Sequence, residues 1–287
     1  MRVVILGSNG QLGSDLVEEF TAYGDEVYPL THADLNVEDF NSVHTALSTL
    51  KPDCVVNPTA FHVVHQCESD PLKAFQINAL GALHIAKTSE ELGALNVYYS
   101  TDYVFDGAQH HPYIETDAPN PLNIYASTKL LGEYYTLNYC QKGFAVRVSG
   151  LYGKVPCRAK GGNFITTMIK AAKEKSEVKV VQDEILTPTP TREIARRTIY
   201  VIQSGAFGLF HLTCEGECSW YEFAKVIFSM LKIQTPLLPC SVKDFPSIVR
   251  RPFYSVLENK KANELQLQKM PYWKEALETF LHDNYGA

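Results

Sequence analysis

The stretch Arg2-Val-Val-Ile-Leu-Gly7-Ser-Asn-Gly10-Gln-Leu-Gly13 directly follows the first methionine. Its apolar part does not alternate with polar residues, which predicts a strand buried on both faces of a parallel sheet. The three glycines that come next, spaced G-x-x-G-x-x-G, precede a helical pattern. Such a turn lets a pyrophosphate approach the N–H groups at the helix start and favours dinucleotide binding, the alternative being a turn that serves only close packing. The residues predicted to bind the cofactor here are Gly7, Asn9, Gly10, Gln11, Leu12 and Gly13.

Apolar runs and helical patterns alternate from this stretch to Gly150. Because strands that alternate with helices form parallel sheets covered on both faces, we predict an α/β fold. It is expected to be a Rossmann-type doubly wound parallel sheet with a smaller C-terminal α/β substrate lobe. Residues 1–150 would form the dinucleotide-binding domain and residues 151–287 mainly the substrate-binding lobe, with later elements near 178–213 returning to the first domain. One long helix is predicted from Asp70 to Leu92.

The composition excludes some classes of function. The chain has 287 residues, of which 45% are hydrophobic and 20% are charged, and its net charge is −6. It therefore has no general positive field for nucleic acid or an anionic membrane surface, and no apolar run reaches the roughly 18 residues of a membrane span. The seven cysteines follow no disulfide framework, so we expect reduced thiols and a cytoplasmic protein. The oligomeric state, monomer or homodimer, is left open.

The end of the second predicted strand bears on the choice of cofactor. It reads Pro29-Leu-Thr-His32, and Asp34 and Leu35 follow it. A carboxylate at such a strand end binds the ribose 2′-hydroxyl of NAD, whereas an arginine accommodates the phosphate of NADP. Neither occurs in Pro29-Leu-Thr-His32, so both NADP and NAD stay open. Asp34 and Leu35 are expected to line the adenine side of the site.

A second motif, Tyr125-Ala-Ser-Thr-Lys129, places a phenol and an amine one helical turn apart. The lysine charge can lower the pKa of the tyrosine, which can then donate a proton to a substrate oxygen. Ser100 and Thr101 lie at the end of the fourth predicted strand, where the ligand crevice of a parallel sheet opens. Ser100 would lie beside the cofactor, and Thr101 could bind a carbonyl oxygen. A surface Tyr/Lys pair that only packs is the alternative.

Longer stretches resemble the extended short-chain dehydrogenases/reductases, and more narrowly the dTDP-4-dehydrorhamnose reductase (RmlD-like) family. The most specific match is the run Ser100-Thr-Asp-Tyr-Val-Phe-Asp-Gly107. Other matches cover nearly the whole chain in family order, among them Asn57-Pro-Thr-Ala-Phe-His62, Asn120-Pro-Leu-Asn-Ile-Tyr125, Gly162-Asn-Phe164 and Arg251-Pro252. The resemblance implies NAD(P)H-dependent reduction of a 4-keto nucleotide-sugar, with dTDP-4-dehydrorhamnose as substrate and dTDP-rhamnose as product.

The same resemblance implies roles for individual residues. Tyr125, Lys129 and Thr101 are the expected catalytic residues, and Asn78 would support the lysine through water unless it is a simple buried amide. The residues expected to border the nicotinamide end of the cofactor are Ala60, Phe61 and His62. The residues expected to contact the nucleotide-sugar are Thr101, Asp102, Asn163 and Arg251, although Arg251 could instead form a surface ion pair.

His62, His65 and Cys67 lie close together in the sequence, but they lack a fourth ligand at a suitable spacing, so no metal is expected. Two departures from the family pattern concern the substrate lobe: Gly150 stands where a tryptophan is frequent, and Ile185-Leu-Thr-Pro-Thr-Pro-Thr191 replaces the usual loop. Two other functions therefore stay open. One is a non-catalytic NAD(P)-binding regulatory subunit that resembles the methionine adenosyltransferase β subunit, and the other is a nucleotide-sugar epimerase.

Overall fold

A six-stranded parallel sheet forms the centre of the computed structural model, which describes residues 1–245 and 249–287. The strands in these residues are β1 (Arg2–Leu6), β2 (Glu26–Leu30), β3 (Cys54–Asn57), β4 (Leu95–Thr101), β5 (Gly143–Val148), β6 (Leu151–Tyr152), β7 (Val178–Val181), β8 (Ile185–Leu186), β9 (Thr189–Pro190), β10 (Gly208–His211), β11 (Cys218–Ser219) and β12 (Leu237–Cys240). The α-helices are α1 (Gln11–Tyr23), α2 (Phe40–Leu50), α3 (Val64–Ser69), α4 (Pro71–Phe75), α5 (Gly81–Leu92), α6 (Ile124–Tyr139), α7 (Phe164–Glu174), α8 (Thr191–Ser204), α9 (Trp220–Met230), α10 (Lys260–Glu264) and α11 (Trp273–Tyr285). In the same residues, no helix has both the length and the apolar character needed to cross a bilayer.

The order of the strands fixes where a ligand can bind. The main sheet runs β10-β5-β4-β3-β1-β2, and all neighbouring strands in it are parallel. The chain passes from β1 to β2 on one side and then to β3 on the other. A crevice opens at such a reversal, beyond the carboxyl ends of the strands. The predicted α/β, Rossmann-type fold is confirmed.

The lack of alternation in β1 follows from its central position. Val3 and Ile5 belong to the core on the side of α1 and α8, whereas Val4 and Leu6 belong to the core on the side of α2 and α5. All four side chains are at most 1% exposed. Because both faces of the strand are covered, every position favours an apolar residue.

The predicted helix from Asp70 to Leu92 is present with one irregularity. The Asp70 side chain accepts the N–H of Lys73 and caps α4. Between α4 and α5 lies a π-helical turn, Gln76–Leu80, and the backbone remains helical on both sides of it. Such turns re-aim side chains and are frequent at functional sites. Asn78 lies inside this turn.

The later part of the chain contributes to two places. Helix α8 packs against α1, and β10 extends the main sheet beside β5. Strand β7 instead pairs with β12, outside the main sheet, while β8 pairs with β11 and β6 with β9. The division into residues 1–150 and 151–287 stays a prediction, and these pairings show which later elements contact the sheet.

Candidate active site

The glycine turn holds the start of α1 against the end of β1. Gly7 has a φ of +57°, and its carbonyl accepts the N–H of Gly10 at 2.9 Å. A Cβ on Gly13 would lie 2.2 Å from the same carbonyl oxygen, so only glycine allows this packing. The N-cap residue Gly10 provides no side-chain cap, and the first turn of α1 carries no acidic residue. The positive end of the helix therefore faces the crevice, which suits a pyrophosphate.

A cavity of about 180 Å³ extends from the glycine turn to the end of β2. Gly7, Asn9, Leu35 and Ala60, four of the residues predicted to bind the cofactor, line it. The nicotinamide contact predicted for Ala60 stays a prediction. His32, Asn36 and Glu38 also contribute to the wall, and Glu38 was not foreseen from the sequence. The position of this cavity, beside the free helix N-terminus, fits the adenosine half of a dinucleotide.

Asp34 is placed differently from its neighbour Leu35. Its carboxylate accepts both the N–H and the hydroxyl of Thr31, at 2.8 and 2.7 Å, and these bonds hold its pKa below the usual range. The residue lies outside the walls of the 180 Å³ cavity. The adenine contact predicted for Asp34 therefore stays a prediction, and its observed role is to close the loop after β2.

Helix α6 is anchored at its first turn by residues from three parts of the chain. The Asn123 side chain accepts the N–H of Ala126 and donates to the carbonyl of Arg250, each at 2.9 Å. Glu68, at the end of α3, accepts the N–H of Ile124 at 2.8 Å. No sequence signal indicated the partner of Glu68. These bonds fix the helix that carries Tyr125 and Lys129.

Tyr125 and Thr101 meet at the carboxyl end of β4. Burial raises the pKa of Tyr125 above its usual value of 10, and hydrogen bonding with Thr101 opposes this rise. The predicted lowering of this pKa by Lys129 is not observed: burial is the largest effect, and Lys129 is not among the groups that act on Tyr125. A phenol with a raised pKa keeps its proton at neutral pH and can act as an acid.

Lys129 is almost completely buried, at 2% exposure. Its Nζ lies 4.0 Å from the centroid of the Tyr98 ring. Burial lowers the pKa of Lys129 from 10.5 to about 7, and the Glu133 carboxylate partly opposes this change. Glu133 itself forms a buried, two-bonded pair with Arg147 at 2.8 and 2.9 Å. Lys129 can therefore gain or lose a proton near neutral pH.

Asp102 connects three segments below the active site. Its Oδ2 accepts the hydroxyls of Ser149 at 2.8 Å and Ser255 at 2.6 Å, and its Oδ1 accepts the hydroxyl of Thr101 at 3.1 Å. Burial raises the pKa of Asp102, and the three hydroxyls oppose this rise. The sugar contact predicted for Asp102 stays a prediction. The observed bonds give it a positioning role toward Thr101, which the sequence did not indicate because Ser255 is 153 residues away.

Asn78 holds the segment after β3 against α6. Its amide accepts the N–H of Phe61 at 2.8 Å and donates to the Phe61 carbonyl at 3.0 Å and to the Thr128 hydroxyl at 3.1 Å. The backbone carbonyl of Asn78 accepts the hydroxyl of Tyr98 at 2.9 Å. The support of Lys129 through water stays a prediction. The observed contacts place Asn78 between Phe61 and the catalytic helix.

Ser100 and Arg251 are among the predicted residues whose polar groups have no partner in the described part of the chain. The Ser100 hydroxyl at the end of β4 is buried, and it has no hydrogen-bond partner in the described part of the chain. Arg251 is exposed and forms none of the ion pairs found among the described residues, so the alternative of a surface ion pair is not observed there. Its charge acts on Tyr103 and Glu184, which places it beside the active-site run.

Asn163 and His62 are engaged with the protein itself. Asn163 caps α7 by accepting the N–H of Thr166, and its amide donates to the carbonyl of Gly153 at 2.9 Å. The ring of His62 bonds the Ala60 carbonyl and the Cys157 sulfur. The described residues contain no group of three or more His, Cys, Asp or Glu side chains arranged to hold a metal. The ligand contacts of Asn163 and His62 stay predictions.

The two segments of the substrate lobe that depart from the family pattern, Gly150 and the loop at residues 185–191, contact each other. Gly150 has a φ of +56°, and a Cβ there would lie 2.9 Å from both the Leu186 side chain and the Pro188 backbone. The loop around Pro188 therefore fills the space beside Gly150, where a large side chain would clash. This arrangement reshapes one wall of the lobe and leaves the residues around Tyr125 in place.

Comparisons with known proteins agree with this site. A model of the family described as the RmlD substrate binding domain matches residues 1–285. The spore coat polysaccharide biosynthesis protein SpsK of Bacillus subtilis is 37% identical over 100% of this chain and 99% of its own length. The dTDP-4-dehydrorhamnose reductase of Burkholderia thailandensis is 33% identical over 99% of both chains. The solved structure of dTDP-4-dehydrorhamnose reductase from Bacillus anthracis in complex with NADP is 36% identical, covers 98% of this chain and 99% of its own, and superposes with a TM-score of 0.94. The glycine turn, the placement of Tyr125 and Lys129, and these full-length matches together show that the chain belongs to the RmlD substrate binding domain family.

Proposed function

We propose that this protein reduces the C4 ketone of a 4-keto nucleotide-sugar with NADPH or NADH, and that its substrate is dTDP-4-dehydrorhamnose. The observation that carries the proposal is the meeting of Tyr125 and Thr101 at the end of β4, with the buried amine of Lys129 one helical turn along α6. The relatives named as reductases of this substrate support the choice of sugar. The product would be dTDP-rhamnose.

The dinucleotide, when bound, supplies the hydride. Tyr125 keeps its proton at neutral pH because burial raises its pKa, so it can donate that proton to the ketone oxygen as the alcohol forms. The Thr101 hydroxyl donates to Asp102 in this structure; when substrate binds, it turns its proton to the same ketone oxygen and shares the developing charge. Lys129, with a pKa of about 7, can hold or release a proton beside the tyrosine. Arg251 provides an exposed guanidinium for the diphosphate of the sugar nucleotide.

The residues near the end of β2 favour NADPH over NADH. Asp34 accepts both bonds from Thr31 through Oδ2 and lies outside the wall of the adenosine cavity, and Glu38 forms an ion pair with Lys73 at 2.8 Å. His32 lies in the wall of the adenosine cavity. Among the described residues, the wall of this cavity therefore contains no unpaired carboxylate that could bind the 2′-hydroxyl or repel the phosphate of NADP. The expected result is a lower KM for NADPH than for NADH.

The test is NADPH oxidation at 340 nm by the purified protein with dTDP-4-dehydrorhamnose, followed by identification of the sugar product. Tyr125→Phe removes the proton donor without changing the packing of the ring, so kcat should fall about 100-fold or more while NADPH still binds. Tight NADPH binding without turnover of any 4-keto nucleotide-sugar would overturn the proposal in favour of a regulatory subunit. Sugar isomerisation without net cofactor oxidation would favour an epimerase.

We also propose that the protein acts in the cytoplasm. All seven cysteines, which lie in the described part of the chain, are unpaired thiols, as expected in a reducing compartment. Fractionation of cells that express the protein tests this, and recovery outside the cytoplasm would contradict it.

A further inference from the structure

A cysteine and a histidine from distant segments meet beside the active site. The Nε2 atom of His62 lies 3.0 Å from the Sγ of Cys157, although 95 residues separate them in the chain. His62 follows Ala60, which lines the adenosine cavity. Cys157 lies in the loop between β6 and α7. Neither the glycine turn nor the proposed proton transfer uses this pair.

The second ring nitrogen of His62 defines the chemistry of the pair. Nδ1 lies 3.1 Å from the carbonyl oxygen of Ala60. Because a carbonyl oxygen only accepts hydrogen bonds, Nδ1 must carry a proton. The lone pair of Nε2 therefore faces the thiol and can take its proton. The Cys157 thiol, the His62 ring and the Ala60 carbonyl thus supply a nucleophile, a base and a group that orients the base. Cysteine-based nucleophilic sites use the same arrangement.

Cys157 differs from the other cysteines in exposure and in acidity. All seven cysteines lie in the described residues; six are buried, and Cys157 alone is partly exposed. Burial acts to raise the pKa of Cys157, but the hydrogen bond and charge of His62, together with Lys160, outweigh it and lower the pKa below 9.0. Burial raises the pKa of Cys67 and of Cys140 to about 11. A thiolate can therefore form at one accessible position.

We propose that Cys157 and His62 form a reactive thiol site that takes hydrogen peroxide. The sulfur of the thiolate attacks one peroxide oxygen, so that an S–O bond forms and the O–O bond breaks. The departing hydroxide takes the proton from Nε2 of His62 and leaves as water. The sulfur is oxidised to a sulfenic acid and the peroxide is reduced. This site goes beyond the proposed reductase activity, and its test does not require turnover of any sugar.

The first test measures thiolate formation through the rate at which iodoacetamide alkylates Cys157, followed by peptide mass mapping from pH 5.5 to 9.5. The titratable and charged groups that face Cys157 are His62 and Lys160, and Arg251 and Cys67 act on Lys160 in turn. In the natural protein the midpoint of the rate profile should lie below about pH 8.5, where an ordinary cysteine ionises. In His62→Gln the rate at pH 6.5 should fall about tenfold or more. The matched control is His65→Gln, which changes an exposed histidine three residues further along the chain and should leave the rate unchanged.

The second test exposes the protein to hydrogen peroxide with dimedone, which traps sulfenic acids. A dimedone adduct should form on Cys157 of the natural protein and of His65→Gln, more slowly in His62→Gln, and not in Cys157→Ser. An alkylation profile whose midpoint lies at or above about pH 8.5 would overturn the proposal without reference to any variant. Equal rates in the natural protein and a folded His62→Gln protein would also overturn it.

Discussion

Lys129 should destabilise the protein at neutral pH, and its replacement by methionine should stabilise it. The side chain is 2% exposed and rests on the ring of Tyr98. Burial lowers its pKa from 10.5 to about 7. The unfolded chain restores the ordinary pKa, so between these two values the unfolded state binds more protons than the native state. A depressed lysine pKa therefore makes stability rise as the pH increases through this window.

The difference between the native and unfolded pKa values of Lys129 corresponds to a destabilisation of the folded protein by about 4 kcal/mol at pH 7. This destabilisation decreases by about 2 kcal/mol by pH 9. The cation–π contact with Tyr98 favours only the charged amine, so it acts through the native-state pKa and is not a separate contribution. Methionine is unbranched and apolar, so it can occupy the same channel without a charge. Lys129→Met should therefore be more stable than the natural protein at pH 7, and this advantage should shrink by about 2 kcal/mol between pH 7 and pH 9.

The assay is urea unfolding of both proteins at pH 7, 8 and 9. The difference between their unfolding free energies cancels the titration of shared groups, including the buried cysteines. Lys87→Met is a matched control, because Lys87 lies 5.7 Å from the ring of Tyr139 but is exposed. Its difference from the natural protein should not change with pH. A Lys129→Met protein that is less stable at pH 7, or whose advantage is the same at all three pH values, would refute the reasoning.

The other predictions concern the packing and the positioning of the site. Gly13→Ala places a Cβ 2.2 Å from a backbone carbonyl, so the start of α1 must move; NADPH affinity measured by fluorescence should fall about tenfold, with a stability loss of roughly 1–3 kcal/mol. Unchanged affinity would mean that the turn does not hold the phosphates. Asp102→Asn replaces the buried carboxylate that accepts three hydroxyls with an amide. The kcat should fall roughly 10- to 100-fold, with NADPH affinity retained. An equal loss of cofactor affinity would contradict this positioning role. Glu133→Gln breaks the buried pair with Arg147 and should cost about 3–5 kcal/mol in urea unfolding, whereas the exposed control Glu174→Gln should change stability by less than about 0.5 kcal/mol. Equal effects of these two changes would contradict the buried pair.

Local sequence patterns were sufficient to predict the scaffold of the site. The run Arg2–Leu6 is apolar at every position because both faces of β1 are covered, and this burial is visible in the sequence as missing alternation. Gly7 to Gly13 fix a turn whose geometry depends on residues only a few positions apart. The spacing of Tyr125 and Lys129 predicts a shared helix face for the same reason. The resemblance to the reductase family rests on such local motifs.

Contacts between distant segments decided what several site residues do. Asp102 accepts hydroxyls from Ser149 and Ser255, and Asn78 clamps Phe61 from inside a π-helical turn. The pKa values of Tyr125 and Lys129 also depend on how deeply both groups are buried, which their spacing does not reveal.

The pairing of His62 with Cys157 shows the same division. Each residue was visible in the sequence, but their 3.0 Å contact exists only because the loop after β3 and the loop after β6 lie side by side. Sequence determines directly the structure that arises from neighbours along the chain, such as turns, caps and helix faces. Desolvation, partner choice and proton affinity depend on segments brought together by folding, so only the tertiary structure determines them.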